Sequence, residues 1–177
     1  MAEHAKQVLA DAFGRVRELV VDLADGLTEE IATYRPDQEA NSIAWLVWHL
    51  TRGQDHQVAD LANVEQVWPQ WRDRFGLPFD ESATGYGQGP EEVAAVRVSG
   101  DLLDGYHRDV HELTLRYLDG SSADELDRVV DTRWNPPVTA AVRLVSVIGD
   151  ALQHAGQAAY VRGLAKRRSP LGGAGAR

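Results

Sequence analysis

Residues 138–167, VTAAVRLVSVIGDALQHAGQAAYVRGLAKR, form a long helix-patterned stretch, and the predicted fold is organised around it. In its middle stand Asp150 and His154, which an α-helix would place on one face about one turn apart. A carboxylate and an imidazole at this spacing can bond to each other, or both can reach a third group such as a divalent metal ion. The spacing alone is more typical of an ion pair than of a metal site.

Four long helices are predicted, because apolar residues recur in each of them at three- and four-residue intervals. We find no convincing strand pattern and no internal repeat. The sequence therefore predicts an all-α, up-and-down four-helix bundle, in which functional side chains project inward from facing helices. The segment between the second and third long helices is rich in Gly and Pro and is predicted to be irregular. The four helices and the irregular segment cover residues 3–25, 41–62, 99–118, 138–167 and 64–99.

The predicted helix ends depend on residues that favour those positions. Asn41, or alternatively Ser42, would cap the second helix, while Gly26 and Gly120 would end the first and third. Pro137 suits the first turn of the last helix. Short helical turns are expected within residues 27–40, 91–98 and 121–130. The residues expected to face the core are Val8, Leu9, Ala12, Val16, Leu19, Val20, Leu23, Ile43, Leu46, Leu50, Leu61, Leu102, Leu103, Tyr106, Val110, Leu113 and Tyr117.

Composition and charge exclude several classes of function. The net charge of -9 argues against a general nucleic-acid-binding protein, because such proteins neutralise phosphates with Lys and Arg. Without cysteine, the chain has no disulfide, no thiolate zinc site and no thiol nucleophile of its own. We recognise no signal peptide and no membrane-spanning apolar run, so we expect a cytoplasmic location. We expect one domain over residues 1–167 and a disordered tail over residues 168–177.

His49 is the natural third member of a metal site. It stands in WLVWHL on the second helix, one turn after Trp45. Two imidazoles and a carboxylate that leave a fourth position open are the ligands of a catalytic zinc site. A single histidine on an apolar helix is more commonly a core residue, and this alternative stays open. Gly53 weakens a helix by about 1 kcal/mol relative to Ala, and it would leave room for a neighbouring helix or a bound molecule.

Other polar residues are candidates for the lining of the same cavity. His56 lies two turns after His49, roughly 10 Å along the helix axis, which is too far to share the same ion easily. Arg52, Asp55 and Gln157 are further candidates. A solvated helix face is the competing interpretation for each of these residues.

His107 and His111 on the third helix form a rival metal site, because two imidazoles four residues apart can share one ion. The pair has no clear third ligand beyond Asp104 or Glu112. Neighbours such as Arg108 are charged, so we expect this pair to be exposed to solvent.

Two stretches, NSIAWLVWHLTRGQDH (residues 41–56) and DALQHAGQAAYVRGL (residues 150–164), together resemble the DinB-like superfamily. Within it, the chain is similar to the actinobacterial branch of mycothiol-dependent transferases and maleylpyruvate isomerases. The resemblance covers residues 3–167. It implies a four-helix bundle that holds a divalent metal, often zinc or nickel, near one end.

The resemblance also implies the metal ligands. His49 would supply the first ligand from the second helix, and Asp150 and His154 the other two from the last helix. Many relatives carry His at the position of Asp150, and the isomerase branch carries a carboxylate there, usually the longer Glu. Gln157 stands where some relatives have a further His. A homodimer is expected at the level of the family.

Two hypotheses of function follow. In the first, the protein is a metal-dependent thiol S-transferase or isomerase, in which the metal stabilises the thiolate of a small thiol such as mycothiol. The electrophile would lie against Trp45 and Trp48, with Trp68 and Trp71 at the cavity mouth. A hydrolase that uses metal-activated water is a variant. In the second, the protein is a non-catalytic dimeric bundle that binds a small ligand or a partner protein. Neither hypothesis assigns a catalytic residue.

Overall fold

The computed structural model describes residues 2–168 and consists mainly of four long helices packed into a bundle. The all-α bundle predicted from the apolar pattern is therefore confirmed. Of the predicted disordered tail, residues 169–177 lie outside the described residues. The elements in chain order are α1 (Ala2–Ala24), α2 (Glu29–Ala32), α3 (Ile43–Ala62), a 3-10 turn (Trp68–Gln70), α4 (Arg72–Phe75), α5 (Pro90–Ala95), α6 (Gly100–Gly120), α7 (Ala123–Asp127), β1 (Val129–Asp131), β2 (Val138–Thr139) and α8 (Ala140–Arg168).

The long helices α1 and α3 each pack against both α6 and α8, which closes the bundle. The short helices α2, α5 and α7 fall in segments where the sequence predicts helical turns. Within residues 2–168, no helix combines the length and the apolar composition that crossing a membrane requires.

The ends of the long helices are set by local hydrogen bonds. The Ser42 hydroxyl accepts a hydrogen bond from the backbone N–H of Trp45 and so caps α3. The expectation that Asn41 is the cap is wrong, and the alternative, Ser42, is confirmed. Asn63 ends α3 in the left-handed conformation, with a φ of 53°. Ser99 caps α6 in the same way as Ser42 caps α3. The chain thus enters and leaves α3 where residue preference predicts.

The core lies between the four helices and contains most of the residues expected to face inward. Val8 and Leu19 are exceptions, because they are 56% and 37% exposed on the solvent side of α1. Leu102 and Tyr117 are only partly buried and pack against the edge of the core. The largest side chains of the core come from α1, α3, α6 and α8 and include Phe13, Leu23, Ile43, Leu46, Trp48, Leu50, Leu103, Tyr106, Leu118 and Leu144.

Aromatic side chains from the irregular segment extend this core. The Trp68 ring centroid lies 5.3 Å from that of Tyr106 and 6.2 Å from that of Trp48. Trp71 and Phe75 also pack against Tyr106. The exposed fractions of Trp48, Trp68 and Trp71 are 0%, 3% and 5%. The expectation that these tryptophans hold an electrophile or line a cavity mouth is therefore wrong, because they are core residues.

A two-stranded antiparallel hairpin of β1 and β2 precedes α8. It corrects the prediction that the chain has no strand, since strands of three and two residues are too short to show a periodic pattern. Pro137 stands before β2 and not in the first turn of α8, which begins at Ala140. Asp131, at the end of β1, forms ion pairs with Arg133 and with Arg143 of α8. The hairpin is thereby tied to the last helix.

Candidate metal centre

Three side chains from two helices meet between α3 and α8. His49 lies in the middle of α3, while Asp150 and His154 lie one turn apart on α8. One ligand atom from each of the three residues lies within 4.8 Å of the others. The two histidines are partly buried and Asp150 is exposed. Because α3 packs directly against α8, the bundle itself brings these three residues together.

The His49 ring is held in one orientation. Its Nδ1 lies 2.6 Å from the backbone carbonyl oxygen of Thr84. Because a carbonyl oxygen can only accept a hydrogen bond, Nδ1 carries the proton and Nε2 keeps its lone pair. Trp45 stacks on the ring with centroids 4.6 Å apart. The Trp45 indole N–H donates to the side-chain oxygen of Gln88 at 2.7 Å, so the stacking partner is itself fixed.

His154 has a comparable arrangement. Its Nδ1 lies 3.2 Å from Oε1 of Gln157, and its Nε2 lies 3.5 Å from Oδ1 of Asp150. Its ring meets the His49 ring edge to face, with centroids 4.8 Å apart. In both histidines an oxygen atom lies within hydrogen-bonding distance of Nδ1, and in His154 the other ring nitrogen, Nε2, faces Asp150.

Local charges and burial shift the pKa values of the three residues in different directions. Burial lowers the pKa of His49, which keeps its imidazole neutral. The interaction with Asp150 raises the pKa of His154, and the same interaction lowers the pKa of Asp150. Near neutral pH, Asp150 is thus an ionised carboxylate and His49 a neutral imidazole, while the carboxylate favours the protonated form of His154, which a bound ion would have to displace.

The donor set fits a divalent cation of the zinc type. Imidazole nitrogens and a carboxylate oxygen are ligands that zinc and nickel accept. Metal-binding histidines also need an acceptor on the other ring nitrogen, and both histidines have one here. Within residues 2–168, no other group of three or more His, Asp or Glu side chains is arranged closely enough to hold an ion.

A cavity of about 1070 Å³ opens beside the three residues, and His49 and Asp150 form part of its wall. Gly53 also faces it, and an alanine Cβ at this position would lie 3.9 Å from Oδ2 of Asp150, an ordinary contact. Glycine is therefore compatible with room at the site but is not required for it. The lining also includes His56, Gln57, Tyr86, Asp131, Trp134 and Arg143.

The aromatic residues at this cavity are Trp134 and Tyr86, which the sequence analysis missed. They are 66% and 94% exposed. The signal that could have identified them is their context, because Trp134 lies in the turn RWNPP and Tyr86 lies between two glycines. Of the residues expected to line the cavity, His56 does so. Trp45 and Gln157 instead contact the histidines themselves.

Arg52 and Asp55 are neither cavity residues nor part of a solvated helix face, so both interpretations considered for them are wrong. The two side chains are completely buried and lie 3.5 Å apart. Asp55 accepts hydrogen bonds from the backbone N–H groups of Val67 and Trp68 and from the Tyr106 hydroxyl. The pair is hydrogen-bonded to groups far along the chain, and this makes the burial of two charges possible.

The rival pair of histidines is also not exposed as expected. His107 is completely buried, and His111 is partly buried. Within the described residues, neither ring nitrogen of His107 has a hydrogen-bond partner. Burial, together with the positive charge of Arg17, lowers the pKa of His107 to about 3. A second cation would meet a positively charged neighbour there and no third ligand.

The fold and the site together define a class of protein, an all-α bundle with a candidate metal site shared by two helices. The family model of mycothiol-S-transferases matches residues 8–166, and the chain therefore belongs to the mycothiol-S-transferase family, within the DinB-like superfamily. It is also similar to the crystal structure of a conserved protein from Enterococcus faecalis, at 34% identity and a TM-score of 0.84. That alignment covers 92% of this chain and 97% of the other. Comparison with curated proteins finds no match.

Proposed function

We propose that the protein is a divalent-metal-dependent enzyme that transfers or uses a low-molecular-weight thiol such as mycothiol. One observation carries the proposal: ligand atoms of His49, Asp150 and His154 lie within 4.8 Å of one another, beside a cavity that His49 and Asp150 line. Membership of the mycothiol-S-transferase family supports it. The absence of cysteine agrees with it, because a reacting sulfur must then arrive on a small molecule.

In the proposed site, Nε2 of His49, Nε2 of His154 and a carboxylate oxygen of Asp150 hold the ion, zinc or nickel. A divalent ion bound there supplies acidity, because it lowers the pKa of a thiol that contacts it. The chain supplies orientation, since Thr84 and Gln157 bind the Nδ1 atoms of the two imidazoles. The short side chain of Asp150 is sufficient, because its carboxylate already lies 3.5 Å from His154 Nε2.

The cavity would bind the remainder of the thiol and the electrophile. Trp134 and Tyr86 offer exposed aromatic faces, against which a planar or apolar group can pack. Arg143 and Gln57 are hydrogen-bonded to each other at 2.6 Å and offer further polar contacts on the same wall. We therefore place the electrophile near Trp134 and not near the buried tryptophans of the core.

We further propose a homodimer that forms through the outer face of α8. Val142, Val145, Leu152 and Tyr160 are 50%, 59%, 39% and 67% exposed on one side of this helix. Exposed apolar residues arranged along one helix favour burial against a partner. Light scattering of the wild type and of Leu152→Glu tests this proposal: a dimeric wild type and a shift of the variant towards monomer are expected, and a monomeric wild type would contradict it.

A cytoplasmic location and the absence of nucleic-acid binding remain predictions from the sequence.

A thiol-conjugation assay tests the proposed reaction. The zinc- or nickel-loaded protein is mixed with mycothiol and with monobromobimane as the electrophile, and conjugate formation is compared with the uncatalysed rate. We expect an acceleration that His154→Ala abolishes and that the control variant His107→Leu retains.

Conjugation at the uncatalysed rate would contradict the proposed reaction and favour a non-catalytic ligand-binding bundle. Loss of an electrophile to water without thiol consumption would contradict it as well and favour a hydrolase.

A further inference from the structure

The loop that follows α4 contacts His49 from outside the bundle. The carbonyl oxygen of Thr84 accepts a hydrogen bond from Nδ1 of His49 at 2.6 Å. Four residues later, the side-chain oxygen of Gln88 accepts a hydrogen bond from the indole N–H of Trp45, whose ring stacks on the same imidazole. Residues 84–88 therefore contact one nitrogen of the imidazole directly and hold the indole that covers one of its faces. The loop has no regular secondary structure of its own next to His49, so its position depends on side-chain contacts with the bundle.

Gly85 allows this close approach. Its φ is +97°, and a Cβ added to it would lie 2.6 Å from Nδ1 of His49 and 3.2 Å from the ring of Trp45. The first distance is shorter than a Cβ atom tolerates, and the second is tighter than most Cβ contacts. The backbone at Gly85 thus lies directly against the imidazole, and only glycine fits between them.

Arg52 connects this loop to the core. Its guanidinium donates from Nε to the carbonyl oxygen of Ala83 at 3.0 Å and from Nη2 to that of Glu81 at 3.3 Å. The side chain is completely buried, and Asp55 lies 3.5 Å away as its counter-ion. Nη1 donates to Gln66 at 2.8 Å. The guanidinium therefore holds the carbonyl groups of Glu81 and Ala83, three residues and one residue before Thr84.

We propose that Arg52, Thr84 and Gly85 together position the His49 side chain. They fix it as the Nδ1-protonated tautomer, with Nε2 directed at the ion site. Arg52 touches neither ion nor substrate and acts only through the loop. The inference rests on the proposed function for its purpose, but the tautomer and loop geometry can be measured in the metal-free protein. It explains why a charged residue is buried three positions from His49 on α3.

Two glycine variants provide a matched test by calorimetric titration with Zn²⁺. Gly85 and Gly87 both have a positive φ, and Gly87→Ala would place its methyl group in open space. Both variants therefore carry backbone strain, but only Gly85→Ala pushes against His49. We expect Gly85→Ala to weaken zinc binding about tenfold or more, the range found when an outer-shell contact is lost, and Gly87→Ala to bind as the wild type does. Equal affinities in the two folded variants would overturn the inference.

Long-range ¹⁵N NMR of the imidazoles, in the metal-free protein, provides the second test. We expect the wild type to show His49 protonated at Nδ1, and Arg52→Lys to show a mixture of tautomers with zinc binding weakened to a similar extent as in Gly85→Ala. Lysine keeps the positive charge beside Asp55, so we expect the fold to be retained. It cannot bind both carbonyl groups, so we expect the loop to lose its fixed position. A wild-type His49 protonated at Nε2, or an unchanged tautomer in Arg52→Lys, would overturn the inference. If the wild type binds no zinc, the proposed function is contradicted. The NMR measurement of the His49 tautomer then tests this inference by itself.

Discussion

His154 and His107 each lie on a long helix with a second polar residue one turn away, Asp150 in one case and His111 in the other. His154 is partly exposed beside a cavity, its Nδ1 contacts Gln157, and Asp150 raises its pKa. His107 is completely buried, its ring nitrogens lack partners within the described residues, and its pKa falls to about 3. The same spacing thus accompanies opposite electrostatic environments.

The difference shows that residues from neighbouring helices determine whether such a pair of side chains can bind a cation. At the candidate metal centre, α3 contributes a third donor, His49, and Asp150 contributes a carboxylate whose pKa is lowered by His154. At the buried pair, α1 contributes Arg17, which opposes a second positive charge. We therefore expect a cation at the first place and not at the second.

The largest expected effect is on stability in the presence of metal. A ligand at about 100 times its dissociation constant stabilises the folded state by about 2.7 kcal/mol, which for a chain of this size raises the melting temperature by roughly 5–10 °C. We expect this shift with Zn²⁺ or Ni²⁺ in the wild type and in His107→Leu, and no shift in His154→Ala. Thermal melting checks it, and a full shift in His154→Ala would place the ion elsewhere.

The second prediction concerns acid sensitivity at His107. The unfolded histidine has a pKa near 6.5, and the folded one has a pKa of about 3. Between these values the unfolded chain binds a proton that the folded chain does not, so the free energy of unfolding falls as the pH is lowered. At about pH 5 the loss is about 2 kcal/mol relative to about pH 8.

His107→Leu removes this group. Urea unfolding should therefore show that the variant loses about 2 kcal/mol less than the wild type between the same two pH values. An equal loss in both proteins would mean that His107 does not titrate as its burial requires.

The smallest effect compares two glycines, one near each pair. An alanine Cβ at Gly53 would meet Asp150 at an ordinary 3.9 Å, whereas one at Gly105 would overlap the ring of Trp71. We expect Gly53→Ala to stabilise the protein by about 0.5–1 kcal/mol through helix propensity. We expect Gly105→Ala to destabilise it by roughly 1 kcal/mol, because overpacking exceeds that gain. Denaturant unfolding measures both, and a change of the same sign would contradict the difference in packing.

The helices were predictable from the sequence because burial of one helix face imposes a three- and four-residue period, and because Ser42 and Ser99 are strong caps. The hairpin was not, since three- and two-residue strands carry no period. The position of Asp150 relative to His154 follows from helix geometry alone. His49 joins them only because α3 packs against α8. The family resemblance implied this packing, but the spacing of residues in the sequence could not show it.

The burial of polar and aromatic residues was the least predictable feature. Arg52 can be buried only because Asp55, Gln66 and two loop carbonyls bind it, and those partners lie up to 31 positions away in sequence. His107 is completely buried, although its neighbour Arg108 is exposed. Tryptophan in an apolar context fits a core and a ligand cavity equally well. Only the packed fold distinguishes Trp68, in the core, from Trp134, at the cavity.

The central claim is that His49, Asp150 and His154 hold one divalent ion. Elemental analysis of the protein purified without a histidine tag tests it most directly, with His49→Ala as the comparison and His107→Leu as the control. We predict about one zinc or nickel ion per chain in the wild type and in His107→Leu, and almost none in His49→Ala. Equal metal content in the wild type and His49→Ala, or none in the wild type after incubation with either ion, would contradict the claim.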